Sequence, residues 1–244
     1  MPINSPTSQA IRYLTISIAT FLVLQGLTVV IHEFTHSTMA WLFGALNSPA
    51  DIVWGNPILM TGWDEGVSYK HLFAEGRNIP AAIIGFCPLV MHSIFTGIAL
   101  YLMRRQWLTE HKWLFHTVYW FTIAHLMELI AYVFMRAFSG HGDIGNFDRG
   151  LDISPWWVFL IASPVLAWAL LLFFRHALPR LQELFIQDNL PGKWAVLILT
   201  SFIVFLWGSG IRVMAYVSGP QWMFGLIGIA GFILTVAVYQ PERA

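Results

Sequence analysis

Long apolar runs separated by short polar segments dominate the chain. A bilayer core about 30 Å thick requires roughly 20 apolar residues in a helix that crosses it. We predict six such membrane-spanning helices, at about Ile11–Phe43, Ile79–Met103, Trp113–Phe138, Pro155–Phe174, Trp194–Val217 and Gln221–Tyr239. Tryptophan and tyrosine cluster near the ends of these runs, as in an interfacial aromatic belt. The pattern therefore predicts an all-α polytopic membrane protein that forms one domain over residues 1–244.

The segment between the first two predicted spans has a different pattern. Ile52–Trp54 and Ile58–Met60 are two short apolar runs, and Gly55–Pro57 lies between them with the composition of a turn. Because the runs are apolar, they predict a β-hairpin that dips into the membrane. Irregular backbone at that depth must lie against protein or a wet cavity. An ordinary interfacial loop is the alternative.

The composition agrees with the apolar pattern and excludes several classes of protein. Hydrophobic residues make up 57% of the chain and charged residues 11%, against about 25% charged in an average soluble domain. The formal net charge is zero, so nucleic acid is not an expected partner. We expect a multi-pass protein whose partner is the lipid bilayer, and we assign it to the cell (plasma) membrane.

One cluster of ionisable residues interrupts the first apolar run. His32-Glu33-Phe34-Thr35-His36 is an H-E-x-x-H motif, and charge in such a setting usually marks a functional site. Because helical positions i and i+4 share a face, His32 and His36 can bind one metal ion. Glu33 lies next to them and is placed to act as general base on an activated water. Two imidazoles, a carboxylate and water suit Zn²⁺.

A catalytic zinc site usually has three protein ligands and one open position. The polar, glycine-rich segment Gly140–Gly150 is the best source of the third ligand, because glycines let its backbone approach a ligand closely. Asp143 is the preferred candidate, since small residues flank it and it is nearer the third span; Asp148 is the alternative. Asn146 either hydrogen-bonds a substrate carbonyl or only makes a turn.

The predicted spans carry further ionisable side chains. His125 and Glu128 lie three residues apart and share a helix face. One of them can orient a ligand histidine, His125 can supply the third ligand, or the residues form a helix–helix hydrogen bond within the bundle. We interpret His92 and His116 as packing or interfacial residues.

With these residues in place, the chain resembles the site-2 protease family of intramembrane zinc metalloproteases. The H-E-x-x-H motif of the first apolar helix carries the resemblance, together with the small-residue stretch Ala81–Leu89 and the aspartate in the glycine-rich segment about a hundred residues after the motif. The resemblance implies that His32 and His36 bind zinc and that Asp143 or Asp148 completes the site.

The same resemblance implies a function. Glu33 would be the catalytic base and Asn146 a contact to the substrate, which would be a transmembrane protein or peptide whose peptide bond is hydrolysed. Two alternatives stay open on the residues alone. The first is a metal-dependent membrane hydrolase that acts on a lipid or small substrate, and the second is a membrane protein that binds metal without being an enzyme.

Overall fold

The computed structural model describes residues 6–56, 62–210, 222–223 and 225–241. Its regular structure over these ranges is helical, apart from isolated β-bridge positions at Val53, Asn56 and Asp64. The helices are α1 (Pro6–Leu42), α2 (Tyr69–Ala74), α3 (Asn78–Met103), α4 (Gln106–Glu110), α5 (Lys112–Ile130), α6 (Gly142–Leu151), α7 (Pro155–Leu172), α8 (Leu178–Phe185), α9 (Leu190–Ser201) and α10 (Gly225–Val238). Three of them continue as π-helical turns: α5 over Ala131–Arg136, α7 over Phe173–Ala177 and α9 over Phe202–Gly210.

The described helices confirm the all-α polytopic membrane fold. Within the described residues, five stretches are long and apolar enough to cross a bilayer: Thr7–Leu42, Asn78–Met103, Lys112–Phe134, Pro155–Phe185 and Leu190–Gly208. The sixth predicted span, Gln221–Tyr239, corresponds to α10, which is apolar but shorter, and part of that prediction lies outside the described residues. The fourth span is longer than predicted, because α7 continues through the π-helical turn Phe173–Ala177 into α8.

The core of the bundle lies around α5. Its aromatic side chains Phe115, Tyr119 and Trp120 are fully buried, and the helix packs against α1, α3 and the 202–210 turn. By contrast, the outward faces of α1 and α7 expose many large apolar side chains, as a lipid-facing surface requires. The central position of α5 brings its polar side chains next to those of α1 and α3.

The glycine-rich segment after α5 is a helix, which differs from the loop that its composition suggested. The new helix α6 packs tightly along α3. A Cβ atom on Gly85 would lie 2.7 Å from the carbonyl oxygen of Asp143, and one on Gly150 would lie 2.4 Å from that of Asn78. Only glycine permits these approaches, so Gly85 and Gly150 serve close packing rather than flexibility.

The segment between α1 and α2 contains an antiparallel bridge within its described residues. Val53 and Asp64 exchange two backbone hydrogen bonds of 2.8 and 3.2 Å in this bridge. The second predicted run, Ile58–Met60, lies outside the described residues. The pairing therefore joins Ile52–Trp54 to a segment beyond the predicted hairpin, and residues 62–67 lie beside the histidine motif.

Candidate metal centre

The two histidines of the motif come together on one face of α1. His32 and His36 are one helical turn apart, which brings their Nε2 atoms to 3.1 Å from each other. Both side chains are buried, with 4% and 1% of their surface exposed. Their Nε2 atoms therefore point to a common position inside the bundle.

A carboxylate from α6 reaches the same position. Asp143 Oδ2 lies 3.1 Å from His32 Nε2 and 3.2 Å from His36 Nε2. The chain reaches α6 through an extended His141 and through Gly142 at φ +71°, a left-handed conformation that favours glycine. Asp143 follows in the first helical turn, where the positive end of the helix dipole stabilises a carboxylate.

The tautomer of His36 follows from one hydrogen bond. Its Nδ1 lies 2.6 Å from the carbonyl oxygen of Ile84 in α3. A carbonyl oxygen only accepts, so Nδ1 carries the proton and donates it. In the neutral imidazole, which is the form that binds a metal, the lone pair of Nε2 is then directed at the common position.

Asp143 is an anionic carboxylate in this arrangement. Burial by itself would raise its pKa, but the positive charge of His36 and His32 in their protonated forms outweighs burial and holds the pKa of Asp143 well below its ordinary value. The three side chains form a buried group that could hold a metal ion.

A polar cavity of about 360 Å³ opens onto this group. Glu33 and Asn146 line it together with the three candidate ligands. Asn146 lies one helical turn after Asp143 on α6, so both side chains face the cavity.

Sequence reasoning missed three residues beside the cavity. Glu65, from the segment after the β-bridge, offers a carboxylate oxygen within 4.8 Å of ligand atoms of Glu33 and His36. The Tyr132 hydroxyl lies 3.1 Å from His32 Nε2 and accepts a 2.8 Å hydrogen bond from Arg136. Tyr132 and Arg136 lie one turn apart at the end of the third span, so a polar pair at helical spacing was the signal available in the sequence.

The other candidate ligands lie outside the group. Asp148 belongs to neither set of side chains that could hold a metal ion, and His125 is separated from His32 by His92. Glu128 accepts a 2.5 Å hydrogen bond from Gln25, which is the helix–helix contact considered from the sequence. His92, interpreted as a packing residue, instead lies 3.0 Å from Nδ1 of His32, and that interpretation is therefore corrected.

Asp148 provides a test of stability that is separate from the metal group. Its side chain is 6% exposed, its oxygens have no hydrogen-bond partner among the described residues, and burial raises its pKa to about 6. A carboxyl group whose pKa is raised on folding contributes its full stabilisation at a pH below its ordinary pKa of about 3.9. This contribution is lost as the pH rises through about 6.

We expect Asp148→Asn to remove this loss of stability at rising pH. Between about pH 4 and about pH 7.5 the wild-type protein should lose about 1 kcal/mol more stability than the variant. Thermal unfolding in detergent micelles at the two pH values measures the difference. Equal pH dependence of the two proteins would show that Asp148 does not titrate in this way.

The described geometry combines two imidazoles, a carboxylate anion and a second carboxylate, Glu33, around one polar cavity within a helical bundle. Such a donor set can bind a divalent cation and leave a carboxylate free to accept a proton. Comparison with family models finds no match, and neither the curated proteins nor the solved structures give a significant match. The functional argument therefore depends on the site itself.

Proposed function

We propose that this chain is an intramembrane zinc metalloprotease that hydrolyses peptide bonds of membrane-embedded substrates. The observation that carries the proposal is the convergence of His32, His36 and Asp143 beside Glu33 in a polar cavity within an apolar bundle. The resemblance of the motif and of the aspartate-bearing segment to site-2 proteases supports the same reaction. Burying so many polar groups in a membrane protein is costly unless they have a function.

The spacing of the donor atoms supports zinc as the metal. In a tetrahedral site with bonds of about 2.0 Å, neighbouring ligand atoms lie about 3.3 Å apart. The three Nε2 and Oδ2 separations of 3.1, 3.1 and 3.2 Å are close to that value. Three protein ligands also leave one position for water or substrate, as in catalytic rather than structural zinc sites.

Each residue has a distinct role in the proposed reaction. Zinc supplies Lewis-acid activation of water and of a carbonyl group. The Glu33 carboxylate accepts a proton from the attacking water and donates it to the nitrogen of the leaving amine. Tyr132, held by its hydrogen bond from Arg136, and the amide of Asn146 are available to donate hydrogen bonds to the substrate carbonyl oxygen.

The surroundings of the cavity favour a peptide over a lipid. Charged and hydrogen-bonding side chains form much of its lining, whereas an acyl chain would require an apolar cavity. Residues 62–67 run along the cavity, and Asp64 within them already pairs with another segment through its backbone. An unwound substrate segment presents the same backbone groups, so edge pairing with this segment is a suitable way to hold it.

We expect the purified protein, reconstituted in vesicles, to cleave an end-labelled single-span peptide within its apolar segment. Removing the metal with a chelator should lower the rate at least about 100-fold, because the three ligands alone cannot activate water. Adding Zn²⁺ back should restore the rate, and mass spectrometry of the fragments locates the cleaved bond.

The same assay separates the alternatives. A rate that is unchanged by the chelator would contradict the metalloprotease proposal. Hydrolysis of a lipid ester in the same vesicles, with the peptide left intact, would contradict it in favour of a lipid hydrolase. Zinc binding without hydrolysis of either probe would indicate a protein that binds metal without being an enzyme.

A further inference from the structure

Three buried imidazoles form a continuous row that starts at the metal centre. Nδ1 of His32 lies 3.0 Å from Nε2 of His92, and Nδ1 of His92 lies 2.6 Å from Nδ1 of His125. The exposed fractions are 4%, 0% and 0%. The residues come from α1, α3 and α5, so the row crosses the centre of the bundle. Polar rings in such a place are costly unless they are hydrogen-bonded to one another.

The two candidate histidine ligands differ in what holds their second nitrogen. The Nδ1 proton of His36 is fixed by the carbonyl of Ile84, which can only accept. Nδ1 of His32 faces another imidazole nitrogen, which can donate or accept according to its own tautomer. The state of His32 therefore depends on His92, and the state of His92 depends on His125.

Metal binding fixes which ring donates and which accepts in each hydrogen bond of this row. A ligand at Nε2 of His32 requires a lone pair there, so a neutral His32 carries its proton on Nδ1 and donates it to His92 Nε2. His92 must then carry its own proton on Nδ1 and donate it to Nδ1 of His125. A neutral His125 is left with its proton on Nε2.

The surroundings of His125 suit that last proton. Among the described residues, its Nε2 atom is buried without a hydrogen-bond partner. The rings of Phe121 and Phe95 pack against the His125 imidazole, with their centroids 4.1 and 5.3 Å from its centroid and their planes at 66° and 72° to it. Aromatic faces carry negative charge, so they accommodate an N–H group better than a lone pair.

We propose that His92 and His125 are positioning residues that set the tautomer and orientation of His32 for metal binding. The inference rests on the metal centre of the proposed function, but it does not require that the protein cleave peptides. Partners that orient a ligand histidine are most often carboxylates or backbone carbonyls. Here the imidazoles of His92 and His125 have that role, so residues of α3 and α5 influence how His32 in α1 binds the metal.

Zinc affinity of variants at position 92 tests the inference. We expect His92→Leu to weaken zinc binding about 10- to 100-fold, because His32 loses the acceptor for its Nδ1 proton. His92→Gln keeps an acceptor oxygen near that position, and its affinity should stay within a few-fold of wild type. His116→Leu is the matched control, since His116 is also buried but bonds to Tyr13 and Thr20 instead of the row.

The row also predicts an effect without direct contact. His125→Leu should weaken zinc binding about tenfold although His125 does not touch His32, because His92 loses the acceptor that fixes its tautomer. Nitrogen chemical shifts of ¹⁵N-labelled histidines in the zinc-loaded protein should show the proton on Nδ1 of His92 and on Nε2 of His125. This readout uses the wild-type protein, so it decides the question even where a variant does not fold.

Two results would overturn the inference: wild-type zinc affinity in His92→Leu, or a proton on Nε2 of His92 in the loaded protein. Peptide cleavage measured on the same samples separates this failure from failure of the proposed function. A protein with the expected tautomers that cleaves no peptide contradicts the protease proposal alone. A protein that cleaves peptides while His92→Leu binds zinc normally contradicts the positioning role alone.

Discussion

Glu33→Gln should lower the rate of peptide cleavage about a thousandfold and leave zinc affinity within a few-fold of the wild-type value. Glutamine has nearly the same shape as glutamate, so packing in α1 is kept. It cannot take a proton from water, however, and general-base catalysis is typically responsible for about 10²- to 10⁴-fold of a rate. Cleavage of the reconstituted single-span peptide and metal analysis of the same sample measure the two quantities.

The control for this prediction is Glu110→Gln, the same chemical change at an exposed position in α4. We expect it to cleave at the wild-type rate. Unchanged cleavage by Glu33→Gln would exclude Glu33 as the base. Loss of zinc from Glu33→Gln would instead indicate that Glu33 is a metal ligand. Its carboxylate lies close to His36 and Glu65, and these three side chains form another set that could hold a metal ion.

Asp143→Asn should weaken zinc binding at least about 100-fold, more than loss of an orienting partner does. The change keeps the size of the side chain but removes the anionic charge that lies 3.1 and 3.2 Å from the two Nε2 atoms. A neutral amide is a much poorer ligand for Zn²⁺ than a carboxylate. Competition with a chelator of known affinity measures the change in dissociation constant.

Asp148→Asn provides the matched control, because it makes the same substitution five residues later on the same helix. Its zinc affinity should equal that of the wild-type protein, since Asp148 is not among the side chains that group around the histidines. Strong zinc binding by Asp143→Asn, with loss of binding in Asp148→Asn, would reverse the assignment of the third ligand. The same measurement therefore decides between the two aspartates that the sequence left open.

Much of the fold was predictable from the sequence because membrane insertion depends on local composition. A helix in lipid satisfies its backbone hydrogen bonds within itself, so each apolar run of sufficient length predicts its own structure. The glycine-rich segment after α5 was not predictable in this way. Its glycines are typical of a loop, and α6 forms because Gly85 and Gly150 allow it to pack closely on α3, which is a tertiary effect.

The candidate metal centre also has a part that the sequence predicts and a part that depends on tertiary structure. The sequence by itself determined that His32, Glu33 and His36 share one turn of a helix, because helical spacing is local. Only the tertiary structure decided that Asp143 rather than Asp148 lies beside them, and that His92 and His125 extend the site into the bundle. These contacts join residues at least 33 positions apart, and they depend on how helices pack and rotate against one another, which helical periodicity alone does not specify.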